Sequence, residues 1–176
     1  MAGYYRILAF PPLTDPANLR QHSAMQAMEA LMQSNVTLFP AASSAEARLH
    51  FAARLGFETD CWDVHDALSR GAQDFVLLDV RGPALYAAGH VPGAINLPHG
   101  KITGRKMAEW PQATLFVVYC AGPHCNGANK GALRLAELGR PVKEMIGGVT
   151  GWLDEGFSLV TGEAPGSIAP ELAAAE

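Results

Sequence analysis

Two uninterrupted apolar runs constrain the fold of this chain more than any other feature of its sequence. They occupy residues 75–78 and 114–119. Runs without polar alternation are typical of strands that are buried on both faces of a parallel sheet. Two shorter segments, at residues 94–97 and 142–146, predict further strands.

Helix signals separate these strands along the chain. They fall at residues 60–68, 84–88, part of 101–110, 128–138 and between Gly147 and Gly156. Asp60 is a good cap for the first of them, and Gly82 followed by Pro83 begins the second. Strands that alternate with helices predict an α/β fold, in which a parallel sheet is covered by helices on both faces.

Residues 1–56 are predicted to form a helical N-terminal extension. Asp15 followed by Pro16 begins one helix, and its apolar residues recur at helical spacing: Met25, Met28, Leu31 and Met32. Ser43 and Glu46 form a capping box for a second helix, whose apolar stripe runs from Leu49 to Leu55. We expect the helices to pack on their own domain, although the Met-rich stripe also suits a partner surface or a homodimer.

The remaining chain divides into a domain at residues 57–158 and a C-terminal tail at residues 159–176, which has no clear hydrophobic period.

The net charge of −4 offers no surplus of basic residues that could bind nucleic acid. No apolar run reaches the roughly 20 residues that cross a membrane, and no targeting segment begins the chain, so we expect a cytoplasmic protein. Three cysteines in 176 residues do not resemble a disulfide framework and favour a reducing compartment with at least one free thiol.

The loop that follows the third predicted strand carries the candidate chemistry. Ligands of open parallel sheets bind beyond the carboxyl ends of the strands, and Cys120 is the first residue after that strand. Loop amides and the start of the next helix would stabilise a thiolate and an anionic substrate. The predicted substrate-binding loop comprises Ala121, Gly122, Pro123, His124, Cys125, Asn126 and Gly127.

Four segments in series resemble the single-domain rhodanese (thiosulfate sulfurtransferase-like) family. They are LLDVR at 77–81, the segment at 86–98 that contains GHVPGAINLP, VYC at 118–120, and GGVTGW at 147–152. The resemblance covers about residues 57–158. It implies a three-layer α/β/α domain with about five mostly parallel strands, and a sulfurtransferase that needs no cofactor. Its partners would be small sulfur donors and acceptors or a protein thiol.

The resemblance places the persulfide on Cys120, because the family's cysteine follows its strand directly. Cys125 is the competing candidate, since residues 125–130 would by themselves pass for a family loop. Asp79 and Arg81 match the family's Asp-x-Arg, which is usually a structural ion pair, and Lys130 stands at the far end of the loop. Family loops often carry a cation beside the cysteine. Because this loop offers only His124, thiosulfate and a neutral or persulfide donor both remain open.

Alternatives remain for the second thiol and for the function. Cys125 could attack a persulfide or a sulfenic acid on Cys120 and close a disulfide, or it could be a small buried residue. The chain could also be a binding or regulatory module, or a thiol redox sensor. Phosphatase chemistry is excluded because Cys-x5-Arg is missing: Asn126 and Gly131 stand six places after the two cysteines. Two groups could be considered for a metal, Cys61 with His65 and Cys120 with His124 and Cys125. Neither supplies the four ligands of a structural zinc site, so no metal is expected.

Overall fold

The computed structural model describes residues 33–72 and 74–168, together with residues 20, 23, 25 and 28, which are helical. The helices are α1 (Ser44–Phe57), α2 (Cys61–Ser69), α3 (Pro83–Ala88), α4 (Gly104–Met107), α5 (Gly127–Glu137) and α6 (Gly148–Asp154). The strands are β1 (Glu58–Thr59), β2 (Phe75–Asp79), β3 (Ile95–Asn96), β4 (Leu115–Tyr119) and β5 (Val142–Met145). Within the described ranges, no helix has the length and apolar composition needed to cross a bilayer.

The five strands form one sheet in the order β1-β5-β4-β2-β3, and every pair is parallel. Alternate side chains of the two apolar strands enter different cores. Leu77 and Val117 pack with Trp152 of α6 on one face, whereas Leu78 and Val118 pack with Leu135 of α5 on the other. The predicted α/β architecture, with helices on both faces of a parallel sheet, is confirmed.

One strand was not located from the sequence. Strand β1 is two residues long, has no apolar run, and pairs at the sheet edge with β5. The region at residues 101–110, predicted to be helical in part, divides into a short 3-10 turn at His99–Lys101 and helix α4.

Helix α1 begins with the predicted capping box. The Ser43 hydroxyl accepts a hydrogen bond from the Glu46 amide (3.3 Å). The Glu46 carboxylate accepts bonds from the Ser43 hydroxyl (2.6 Å) and the Ser43 amide (3.1 Å), and these two bonds lower the pKa of Glu46. The predicted packing of the stripe is wrong, because Leu49 and Leu55 are 64% and 74% exposed and no residue of α1 is buried. The helix start predicted at Asp15 lies outside the described residues.

The chain divides into two compact units, Met1–Ala47 and Arg48–Glu176, and the whole sheet lies in the second. Residues 159–168 of the predicted tail are attached to this unit. The backbones of His90 and Val160 exchange two hydrogen bonds of 2.9 Å. The buried His90 ring lies within hydrogen-bonding distance of the carbonyls of Tyr86 (2.9 Å) and Ala164 (3.0 Å).

Candidate active site

Cys120 directly follows β4, the central strand of the sheet, and is 7% exposed. It lines a cavity of about 240 Å³ at the carboxyl end of the sheet. The other walls come from the loop, the start of α5, β1, and β5 with the turn after it: Glu58, Gly122, Pro123, Cys125, Ala128, Asn129, Glu144, Met145, Ile146, Gly147 and Gly148. The candidate nucleophile therefore lies where a parallel sheet binds its ligands.

The two loop cysteines are joined to each other. Cys120 and Cys125 form a disulfide, with Cα atoms 6.3 Å apart. The loop turns back between them, because the amide of Cys125 donates to the carbonyl of Gly122 (3.0 Å). Of the two sulfur-bearing residues, Cys125 is the more accessible.

The loop amides differ from the predicted arrangement around Cys120. The Gly127 amide at the start of α5 donates to the sulfur of Cys125 (3.4 Å), and no described backbone amide donates to the Cys120 sulfur. His124 and Lys130 are exposed, and neither lines the cavity. The cationic support expected from these two side chains is therefore not formed, since His124 is exposed on the loop and Lys130 is exposed on α5.

The charged residues that line the cavity are acidic, and the sequence analysis did not predict them. Glu58 of β1 lies opposite Glu144 of β5 in the parallel register. Burial, and next the charge of Glu58, raise the pKa of Glu144. Asn129 donates to the carboxylate of Glu144, and Arg54 pairs with Glu58 at 2.8 Å. Only the pairing of β1 with β5, which no sequence pattern predicted, brings Glu58 and Glu144 together.

The family model of the Rhodanese-like domain matches residues 62–155, just over half of the chain. The chain belongs to the rhodanese-like domain family.

Three relatives of this rhodanese-like domain are informative. It is 38% identical over 98 residues to the HTH-type transcriptional regulator Rv0324 of Mycobacterium tuberculosis, a match that covers 55% of this chain and 42% of that protein. It is 33% identical over 91 residues to a sulfurtransferase of Allochromatium vinosum, covering 52% of this chain and 83% of that one. The crystal structure of the BH2092 protein from Bacillus halodurans superposes with a TM-score of 0.66 at 34% identity, over 69% of this chain and 88% of the other.

Asp79 and Arg81 of the rhodanese-like domain lie outside the cavity lining and form an ion pair. Asp79 is fully buried, and its carboxylate accepts from Nη2 of Arg81 at 2.5 Å. The same nitrogen donates to the carbonyl of Gly89 (2.7 Å), while Asn96 donates to the carbonyls of both ion-pair residues. These bonds connect the ends of β2, α3 and β3 beside the central strand.

Cys61, the third cysteine of the rhodanese-like domain, is buried outside the cavity. Its thiol donates to the carbonyls of Ile146 (3.4 Å) and Gly148 (3.6 Å) and so ties α2 to the start of α6. Burial, followed by the charges of Asp60 and Glu155, raises the pKa of Cys61 to about 11. The thiol therefore stays protonated and unreactive at neutral pH.

Helix α6 of the rhodanese-like domain packs backbone against backbone on the cysteine loop. The amide of Val149 donates to the carbonyl of Cys120 (3.1 Å). Gly148 has a φ of +58°, and a Cβ there would lie 3.0 Å from the amide nitrogen of Gly122 and overlap the Cys120 carbonyl. Only glycine allows this approach without displacing the loop.

Gly148→Ala is expected to destabilise the domain by about 1–2 kcal/mol more than Gly156→Ala, measured by urea unfolding. Gly156 is the matched control, because its φ is +81° but nothing lies within 4 Å of an added Cβ. Both variants carry the cost of a left-handed backbone, so their difference measures the overlap with the cysteine loop. Equal losses in the two variants would contradict the close packing of α6 on this loop.

Proposed function

We propose that this rhodanese-like domain is a sulfurtransferase that carries a sulfane sulfur as a persulfide on Cys120. The supporting observation is the position of Cys120, at the end of the central strand, at the floor of a cavity and beside the start of α5. The likeness to a relative named sulfurtransferase, over 83% of that protein, supports the same class of reaction.

The transfer has two steps, each a displacement at sulfur, and it begins from the reduced loop. The Cys120 thiolate attacks the sulfane sulfur of a donor, the donor's sulfur–sulfur bond breaks, and its leaving group departs with the electron pair. A thiophilic acceptor such as cyanide or a thiol then attacks the outer sulfur and releases the Cys120 thiolate. The need for free thiols makes a reducing compartment such as the cytoplasm part of the proposal.

The donor class follows from the charges of the cavity. Glu58 and Glu144 line it, while His124 and Lys130 lie outside it. A dianion such as thiosulfate approaches this thiolate against the charge of Glu144, because Arg54 pairs with Glu58 whereas no cation among the described lining residues faces Glu144. We therefore favour a neutral donor or a thiol persulfide over thiosulfate.

Cys120→Ser is expected to abolish sulfur uptake and cyanide-dependent thiocyanate formation. The comparison is made in a Cys125→Ser background, so that the disulfide cannot form, with reduced protein and glutathione persulfide as donor. The peptide that contains Cys120 should gain the mass of one sulfur atom, and this gain should vanish in the double variant. Cys61→Ala in the same background is the control and should retain uptake, because the Cys61 thiol lies outside the cavity. Full thiocyanate formation without Cys120 would refute the proposal.

A second candidate, a regulatory thiol pair, is supported by the Cys120–Cys125 disulfide. The likeness to a protein named as a transcriptional regulator, over 42% of that protein, points the same way. A sensor of this kind would form the disulfide with hydrogen peroxide and show no sulfur uptake from any sulfane donor. The mass measurement on the Cys120 peptide therefore separates the two candidates.

A further inference from the structure

The structure holds the second sulfur of the loop in a defined place. Cys120 and Cys125 are bonded, and the Gly127 amide donates to the sulfur of Cys125. A Cβ at Gly127 would lie 2.7 Å from the Cys120 sulfur and 3.3 Å from the Cys125 sulfur, so this glycine leaves room for both sulfurs over the start of α5. These contacts favour a chemical role for Cys125 over one as a buried filler of the loop.

We propose that Cys125 resolves the persulfide on Cys120 and releases hydrosulfide, so that the domain reduces sulfane sulfur. This inference rests on the proposed function, because it needs the persulfide as its starting state. The inference goes beyond the proposed function because it names the group that removes the sulfur from Cys120: a thiol of the same site, not an external acceptor.

The reaction balances without an external oxidant. The Cys125 thiolate attacks the inner sulfur of the Cys120 persulfide, and the bond from that sulfur to the outer sulfur breaks. The outer sulfur leaves as hydrosulfide with the electron pair, and the disulfide forms between Cys120 and Cys125. The two cysteine sulfurs are oxidised and the sulfane sulfur is reduced. A dithiol reductant then restores both thiols and completes the cycle.

The arrangement of the site favours each participant in this step. The Gly127 amide and the first turn of α5 stabilise the Cys125 thiolate that must attack. The cavity adjoins both sulfurs, and its acidic residues, Glu58 and Glu144, disfavour retention of the hydrosulfide anion. Because the attacking thiol is held on the same loop, resolution should outpace attack by thiols from solution.

The test compares the wild type with Cys125→Ser, each reduced, freed of reductant and given one equivalent of glutathione persulfide. Wild type should release about one hydrosulfide per chain and lose two hydrogens in mass as its disulfide forms. Cys125→Ser should keep the extra sulfur on Cys120 and release hydrosulfide about 100-fold more slowly, until dithiothreitol is added. Cys125→Ala should behave like Cys125→Ser, and Cys61→Ala like wild type.

Each other result has a distinct meaning. A stable Cys120 persulfide in wild type would overturn the resolving role and leave the proposed sulfurtransferase standing. A disulfide that forms in wild type without released hydrosulfide would also overturn the role, in favour of simple oxidation. If neither wild type nor Cys125→Ser takes up sulfur, the proposed function itself fails, and the inference fails with it.

Discussion

Replacing Glu144 by lysine is expected to raise kcat/KM for thiosulfate by about ten- to a hundredfold, because repulsion in the cavity becomes attraction. Glu144 and Glu58 both line the cavity into which Cys120 opens. A reversed unit charge a few ångströms from a dianion changes its energy by a few kcal/mol at the dielectric of a protein surface, and each 1.4 kcal/mol is about tenfold. Sulfite release in the presence of cyanide is the measurement.

The fold should tolerate this change. A lysine at position 144 would face Glu58 across the β1–β5 pair, so an unlike pair replaces a like one, while the hydrogen bond from Asn129 is lost. Glu144→Gln should give a smaller rise, since it removes one charge without adding another. The gain should shrink as salt is added, because the residue is not fully buried.

The matched control is Glu137→Lys, which changes the net charge equally on the exposed last turn of α5. If Glu137→Lys raises kcat/KM for thiosulfate as much as Glu144→Lys does, the effect belongs to the overall charge and not to the cavity. An unchanged rate in Glu144→Lys would show that Glu144 does not oppose the donor.

The sheet was predictable because its signals are local. Residues 75–78 and 115–119 are apolar throughout, as burial on both faces requires. Asp60 accepts from the Asp63 amide at the start of α2 (2.8 Å). Strand β1 has no such signal, since its two residues are a strand only through their pairing with β5. The stripe of α1 illustrates the opposite failure, because an apolar period indicates a helix but does not say what covers it.

Part of the site could likewise be predicted from the sequence, and part could not. The sequence located Cys120, because the end of an apolar strand is visible in the chain and the carboxyl end of a parallel sheet is where ligands bind. It did not locate Glu58 and Glu144, because their meeting depends on which strands are neighbours, and β5 lies between β1 and β4. Loop composition also did not show that His124 is exposed outside the cavity, since that depends on how the loop turns back at Gly122.

Asp79→Asn is expected to lower the free energy of unfolding by about 3–5 kcal/mol, the loss typical when one partner of a buried ion pair is removed. The side chain of Arg81 is only 7% exposed, so its charge would remain in the interior without a counterion. Guanidinium chloride unfolding is the measurement. Asp66→Asn is the matched control: it breaks the exposed pair with Arg70 and should cost less than about 1 kcal/mol.

The double variant Asp79→Asn/Arg81→Met tests whether the loss of stability comes from the charge of Arg81, which has no counterion in the single variant. Removing the guanidinium should recover part of the stability, although the carbonyl of Gly89 then loses its donor. Sulfur uptake by Cys120 below the unfolding transition should be unchanged in both variants, because neither residue lines the cavity. A drop in sulfur uptake by fully folded Asp79→Asn would instead assign this carboxylate a part in the chemistry. A loss of stability does not by itself change the rate of uptake by protein that remains folded.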